Sequence, residues 1–187
     1  MAGIRVIAGR AKGVRLALVP GEGTRPISDR VKEALFNIIG AEVIESHWLD
    51  LFAGTGSVGI EALSRGAAWA WFNDSDRRAV RTVTENLARA KLSDKAKITR
   101  RDAFRLLQAP AEQGFDYVYV APPQYQGLWS RALRLLDERV EWLNPDAWVV
   151  AQLHPREYED LGLTRLEEVD QRRYGNTLLV FYEYPGE

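Results

Sequence analysis

The chain has 187 residues, of which 46% are apolar and 27% charged, the make-up of an ordinary globular protein able to bury one sizeable core. It has no cysteine and only two histidines, His47 and His154, which excludes a disulfide framework, thiolate chemistry and a zinc site built from histidine alone. A net charge of −1 excludes a uniformly basic nucleic-acid binder, and no apolar run approaches the ~18 residues of a membrane span. With no secretion-signal pattern at the N-terminus, a cytoplasmic protein without membrane or metal partners is expected, and nothing in the pattern asks for more than a monomer.

Charge is unevenly distributed. Residues 1–40 carry seven bases (Arg5, Arg10, Lys12, Arg15, Arg25, Arg30, Lys32) against three acids, a local +4 that leaves −5 for the rest. A basic arm on an acidic body suits contact with phosphates, and a mixed solvated surface explains the charge equally well. Within the arm, Ile4–Val19 reads as a short hairpin or irregular segment turning at Gly13, and Pro20-Gly-Glu-Gly23 breaks it. Ser28 then caps a helix whose apolar stripe is Val31, Leu35 and Ile38, widened by Ala34 and Ile39.

From His47 onward strands and helices alternate. Trp48–Phe52 predicts a strand, Gly54–Gly59 a tight turn, and Ile60–Arg65 a helix closed by Gly66. Trp69–Asn73 follows as a strand, then a helix capped by Asp76 with Val80, Val83, Leu87 and Ala90 on one face. Lys97–Thr99, Phe115–Val120 and Ala147–Leu153 read as further strands, with a turn at Arg101-Asp102 and a helix over Leu128–Asp137. Leu163–Val169 and Thr177–Tyr184 read as a closing antiparallel pair around Tyr174-Gly175-Asn176. The pattern predicts an α/β fold, a mostly parallel sheet covered by helices, with residues 1–40 as an arm and helix packed on a core of 41–187.

Four stretches carry chemistry. In Leu49-Asp-Leu-Phe-Ala-Gly-Thr-Gly-Ser-Val-Gly59, a strand runs into glycines that let backbone approach a ligand. Gly54, Gly56 and Gly59 match the spacing of a dinucleotide-binding turn, but Asp50 before them would repel a pyrophosphate and welcome a cationic amine. Asp74, about twenty residues after the glycines, stands where a carboxylate accepts from two ribose hydroxyls, with Asp76 as the rival for that role. Asp102 faces a base's amino group or caps the helix from Ala103, and the two roles are compatible. Finally, Asp116-Tyr-Val-Tyr-Val-Ala-Pro-Pro-Gln-Tyr125 ends an apolar strand in two prolines, which removes two donors and leaves carbonyls free to accept from an exocyclic amine. A neighbouring aromatic ring would stack on the base that carries the amine.

With these motifs in order, the chain resembles the class I S-adenosylmethionine-dependent methyltransferases. It looks most like the bacterial family that methylates the N2 amine of a guanine in 16S ribosomal RNA. The resemblance spans nearly the whole chain. It rests on Thr24-Arg-Pro-Ile-Ser-Asp-Arg-Val-Lys-Glu-Ala-Leu-Phe-Asn37, Leu49–Leu63 and Ser64-Arg-Gly66, with Arg5-Val-Ile-Ala-Gly-Arg10 and Arg173-Tyr-Gly175 in support. It implies a Rossmann-like, seven-stranded, mostly parallel sheet with an antiparallel C-terminal strand and helices on both faces. It further implies S-adenosylmethionine as cofactor, at Asp50, Phe52, Ala53, Gly54, Thr55, Gly56, Asp74, Asp102 and Ala103. The target-base site falls at Ala121, Pro122, Pro123, Gln124 and Tyr125. Arg10, Lys12, Arg25 and Arg30 are the phosphate candidates for a 16S rRNA partner in the small subunit or an assembly intermediate.

Two positions depart from the family pattern, which has Asp or Asn where Ala121 stands and Tyr or Phe where Gln124 stands. Tyr125 one residue later, or Trp129, is the substitute ring. Loss of the acid removes a charge-assisted acceptor worth ~1.5–3 kcal/mol, roughly 10–150-fold in rate. Two other functions stay open: a catalytically weak RNA-binding assembly factor, and a methyltransferase for another planar amine such as adenine N6 or a glutamine amide.

Overall fold

The computed structural model describes residues 3–21 and 26–187, so the expectations resting on Thr24 and Arg25 lie outside the described residues. The chain divides into two compact units, Met1–Arg101 and Asp102–Glu187.

In the first unit the expected hairpin forms from β1 (Ile4–Arg5) and β2 (Arg15–Leu16), with Gly13 at φ 87° in the turn. Helix α1 (Asp29–Ile39) starts where Ser28 accepts the Val31 N–H at 3.2 Å and stops at Gly40. Its buried face is Val31, Lys32, Leu35, Phe36 and Ile39. At ~100° per residue these five fill one arc, while Ile38 falls just outside it and Ala34 farther out. Both are accordingly half-buried rather than core residues.

Strands β3 (His47–Asp50), β4 (Trp69–Asp74) and β5 (Ala96–Arg100) pair in parallel, Asp50 opposite Phe72 and Asp74 opposite Arg100. Leu51 and Phe52, expected in the strand, lie in the turn after it. Helix α2 (Ser57–Ser64) begins earlier than expected and is buried at every position. Helix α3 (Arg77–Ala90) is capped by Asp76, which accepts the Arg78 N–H at 2.8 Å. It buries Ala79, Thr82, Val83, Asn86, Leu87 and Ala90, and leaves Val80 at the margin. Phe36 stacks on Trp48 with ring centroids 5.4 Å apart, and Trp71 donates its indole N–H to Thr99 at 2.8 Å, so each large ring gains burial without an orphaned donor.

The second unit holds α4 (Ala103–Gln108), β6 (Phe115–Val120), α5 (Leu128–Glu138), β7 (Leu143–Leu153), β8 (Glu167–Tyr174) and β9 (Thr177–Tyr184). β6 and β7 are parallel, whereas β9 runs antiparallel to both β7 and β8. Strand β8 sits later than the expected Leu163–Val169. The Asp137 carboxylate collects the amides of Thr164, Arg165 and Leu166 at 2.8–3.1 Å, which spends them before a ladder can form. β8 itself is exposed along most of its length, an edge strand with little apolar alternation to announce it. The seven-stranded sheet has the order β5-β4-β3-β6-β7-β9-β8, so the expected mostly parallel sheet with an antiparallel strand near the C-terminus is what the chain forms.

Candidate active site

The glycine turn of the first unit divides its labour. Gly54 (φ 56°) donates its N–H to Asp74 Oδ2 at 2.9 Å, and Gly56 (φ 80°) opens α2, with its N–H on the Ala53 carbonyl at 2.8 Å. Gly59 has another task. A Cβ there would stand 2.4 Å from the Phe72 ring, so its hydrogen is what lets α2 lie against β4. Behind the turn, the side chain of Asn86 donates to the Thr55 carbonyl at 2.9 Å and also holds Ala17. Phe52 is half-buried, while Ala53 and Thr55 are buried.

Asp50 ends β3 beneath this turn with 1% of its surface exposed. Its Oδ2 accepts the Gly59 N–H at 3.3 Å, and its Oδ1 is buried with no hydrogen-bond partner among the described residues. Burial pushes its carboxyl up to about 8; the Gly59 N–H opposes the shift and the Asp74 charge adds to it. S-adenosylmethionine fits this donor set. A buried carboxylate oxygen without a partner is the group an ammonium would satisfy. Asp74 Oδ1 accepts the Asp76 N–H at 2.9 Å, so each Asp74 oxygen holds one amide and keeps capacity for a hydroxyl. Asp76 is already engaged by the backbone and guanidinium of Arg78, at 2.8 and 2.9 Å, which leaves Asp74 better placed of the two for a ribose.

In the second unit Asp102 caps α4, its Oδ1 accepting the N–H groups of Phe104 and Arg105 at 3.0 Å each. The N–H of Ala103, first in that helix, has no intrahelical acceptor. Residues 121–123 leave β6 in no regular element, and among the described residues no turn or loop hydrogen bond ends on the Pro122 or Pro123 carbonyl. Ala121 is half-buried and Gln124 exposed. Tyr125 adopts φ 62°, unusual for a residue with a Cβ, and its N–H is held by Glu157 Oε1 at 2.7 Å. The residue is 64% exposed, and its ring stands 5.5 Å from that of His154. Trp129 is only 3% exposed and stacks on Tyr158, so of the two substitute rings Tyr125 alone is available to a ligand.

Of the expected phosphate ligands, Arg10, Lys12 and Arg30 are exposed, and Arg25 lies outside the described residues. Lys32, counted among the arm's charges, is instead wholly buried. Its Nζ donates to the Arg5 carbonyl at 2.7 Å and to Ser57 Oγ at 2.9 Å, and lies 3.3 Å from Glu61 Oε1. Burial lowers its pKa, against the pull of Glu61. Glu61 also accepts the N–H groups of Ile7 and Ala8 and the Arg65 Nε, which ties the arm to α2. Glu61 and Glu157 escaped sequence reasoning. A lysine in phase with Val31, Leu35 and Ile39 was the available sign of a buried charge needing a partner.

Among the described residues no cluster of His, Cys, Asp and Glu could hold a metal, and no helix is long and apolar enough to cross a membrane. The chain is 41% identical over 98% of its length to "Putative rRNA methyltransferase YlbH" of Bacillus subtilis (strain 168), all of which it covers. It is 38% identical over 80% of its length to "Ribosomal RNA small subunit methyltransferase D" of Haemophilus influenzae, covering 78% of that protein. Among solved structures, "Putative methyltransferase yhhF from Escherichia coli" superposes with a TM-score of 0.85 at 30% identity, both chains being covered completely. The family described as conserved hypothetical protein 95 matches residues 4–183, and the chain belongs to that family, with the Rossmann-like fold of class I methyltransferases.

Proposed function

We propose that this S-adenosylmethionine-dependent methyltransferase methylates the N2 amine of a guanine in 16S rRNA of the small ribosomal subunit. The observation that carries the reading is the buried, unpartnered oxygen of Asp50 behind an intact glycine turn, a site with a physical reason to recruit a cation. The names of the relatives, one of them a small-subunit rRNA methyltransferase, support RNA as the substrate. When bound, the cofactor supplies a methyl group on a sulfonium. Asp50 takes the ammonium, Asp74 the ribose hydroxyls, and Asp102 with the Ala103 N–H the adenine edge.

At the other partner, the Pro122 and Pro123 carbonyls accept from the exocyclic amine and Tyr125 stacks on the guanine. Both contacts fix where the nitrogen lone pair points, which is catalysis by positioning. Glu157 serves by pinning the Tyr125 backbone. With Ala121 in place of an acid, the amine is held by backbone alone. The methylated nitrogen gives up its proton readily, so no strong base is required of the chain.

The test is direct. Purified protein, labelled S-adenosylmethionine and small subunits from a strain lacking the enzyme should yield N2-methylguanine on nucleoside mass spectrometry. Cofactor binding with no such product would refute the substrate, and a methylated adenine or glutamine would redirect it.

A further inference from the structure

The carboxyl end of β7 and the β8–β9 hairpin border an open polar cavity of about 540 Å³ lined by His154, Pro155, Arg156, Arg173 and Asn176. Strand register explains why these residues meet. Leu153 of β7 pairs with Leu178 of β9, which pairs in turn with Arg173 of β8. The residues just beyond Leu153 and those around Gly175 therefore share one edge of the sheet. Tyr125 belongs to the same neighbourhood through its contact with His154 and its backbone bond to Glu157.

The lining is rich in donors and holds no acid. Arg173 uses its Nε on the Gly175 carbonyl at 3.0 Å, which fixes the plane of the guanidinium without neutralising it. Neither Arg173 nor Arg156 forms an ion pair among the described residues, whereas Arg172, next to Arg173 on β8, is paired with Asp170 at 2.9 Å. Glu157, the carboxylate next to Arg156 in sequence, has both oxygens occupied by the N–H groups of Tyr125 and His154. Two unneutralised planar forks facing one polar cavity match the oxygens of a phosphate, which they can bind in pairs of parallel bonds.

We propose that Arg156 and Arg173 form a subsite for a backbone phosphate of the RNA strand beside the methylated guanine, with Asn176 and His154 adding hydrogen bonds. The proposal rests on the rRNA substrate given above and adds what fixes the strand there. A base stacked on Tyr125 brings its own phosphodiester toward this cavity, and a phosphate contact sets register without reading sequence. It also explains how a chain with net charge −1 can hold RNA: the favourable charge is concentrated where the strand must be fixed.

The full chain with its cofactor product should be titrated with under-methylated small subunits at several salt concentrations. Replacing both arginines by alanine should weaken binding at least 10-fold, and one lost phosphate contact should flatten the salt slope by about 0.7–0.9. Cofactor affinity, measured separately by calorimetry, should not change. Arg172→Ala, whose charge is spent on Asp170, should leave the slope intact, and lysines at 156 and 173 should restore it while recovering only part of the affinity. An unchanged slope in the double alanine variant, or an equal loss in Arg172→Ala, overturns the subsite alone. Wild-type protein that binds cofactor but neither binds nor methylates the subunits overturns the rRNA substrate and the subsite with it.

Discussion

Asp50→Asn should improve the fold and, on the proposed role of Asp50 in holding the cofactor's ammonium, weaken cofactor binding. Its folded pKa of about 8 lies above the unfolded value of 3.8, so the folded state holds the proton more tightly. The penalty is therefore absent below pH 4, grows as pH rises from 4 to 8, and is constant above 8. At pH 7 it reaches at most ~4 kcal/mol, at ~1.4 kcal/mol per pH unit. An asparagine amide in the same place keeps the Gly59 bond but leaves its own donors unmatched, at ~1–3 kcal/mol. The net gain for the cofactor-free protein is then ~1–3 kcal/mol, or ~2–10 °C in Tm for a chain of this length. Melting curves should show the variant above wild type at pH 7.5 and below it at pH 4, where the carboxyl is protonated and only the cost of the asparagine's unmatched donors remains. Calorimetry should show that wild type releases nearly one proton on binding S-adenosylmethionine at pH 7, since the ammonium demands the ionised acid, and that the variant binds far more weakly. A variant that melts lower at pH 7.5 and binds the cofactor as tightly as wild type would refute the reasoning.

Tyr125→Ala should lower kcat/KM on small subunits by ~10-fold or more, the worth of one stacked base, while Tyr125→Phe keeps activity and cofactor affinity is untouched in both. Ala121→Asp should leave methylation similar or raise it; abolition, in a single-turnover assay, would mean that the base is held by side chains around Gln124 instead. Gly59→Ala should cost ~1–3 kcal/mol in denaturant unfolding, as a methyl is forced into the Phe72 ring. Glu61→Gln should cost ~3–5 kcal/mol by leaving the Lys32 ammonium buried without an anion, Lys32→Met should cost less because Arg65 still pairs with Glu61, and the double variant should be less damaging than the sum of the two.

The strands and helices that form the centre of the sheet were legible because burial imposes apolar runs on them, as in Trp69–Asp74 and Phe115–Val120. β8 was misplaced because an edge strand has one solvated side and few apolar residues. α2 was shortened because Gly59 suggests a turn until the Phe72 ring opposite it is known. The glycine turn, with Asp50 before it, was legible from spacing, as a short-range feature of a strand-to-helix junction. The Glu157 bond to Tyr125 and the cavity of Arg156 and Arg173 were not, since register brings together residues that are distant in sequence.

Helix α2 has no solvent-facing side: Ser57 through Ser64 are all buried. Its inner positions meet the strands, and its outer ones are sealed by the arm, through Glu61 on Ile7 and Ala8 and Ser64 on Ala8 and Ala11. The arm is thus a structural wall as well as a carrier of basic side chains. A fragment engineered to begin at Ser28 would expose apolar surface and strand the Glu61 carboxylate without its amides. The smallest piece of this chain that folds around the cofactor turn must therefore include the residues before the first helix, and trimming or tagging inside 4–11 would register as lost cofactor binding before any RNA was added.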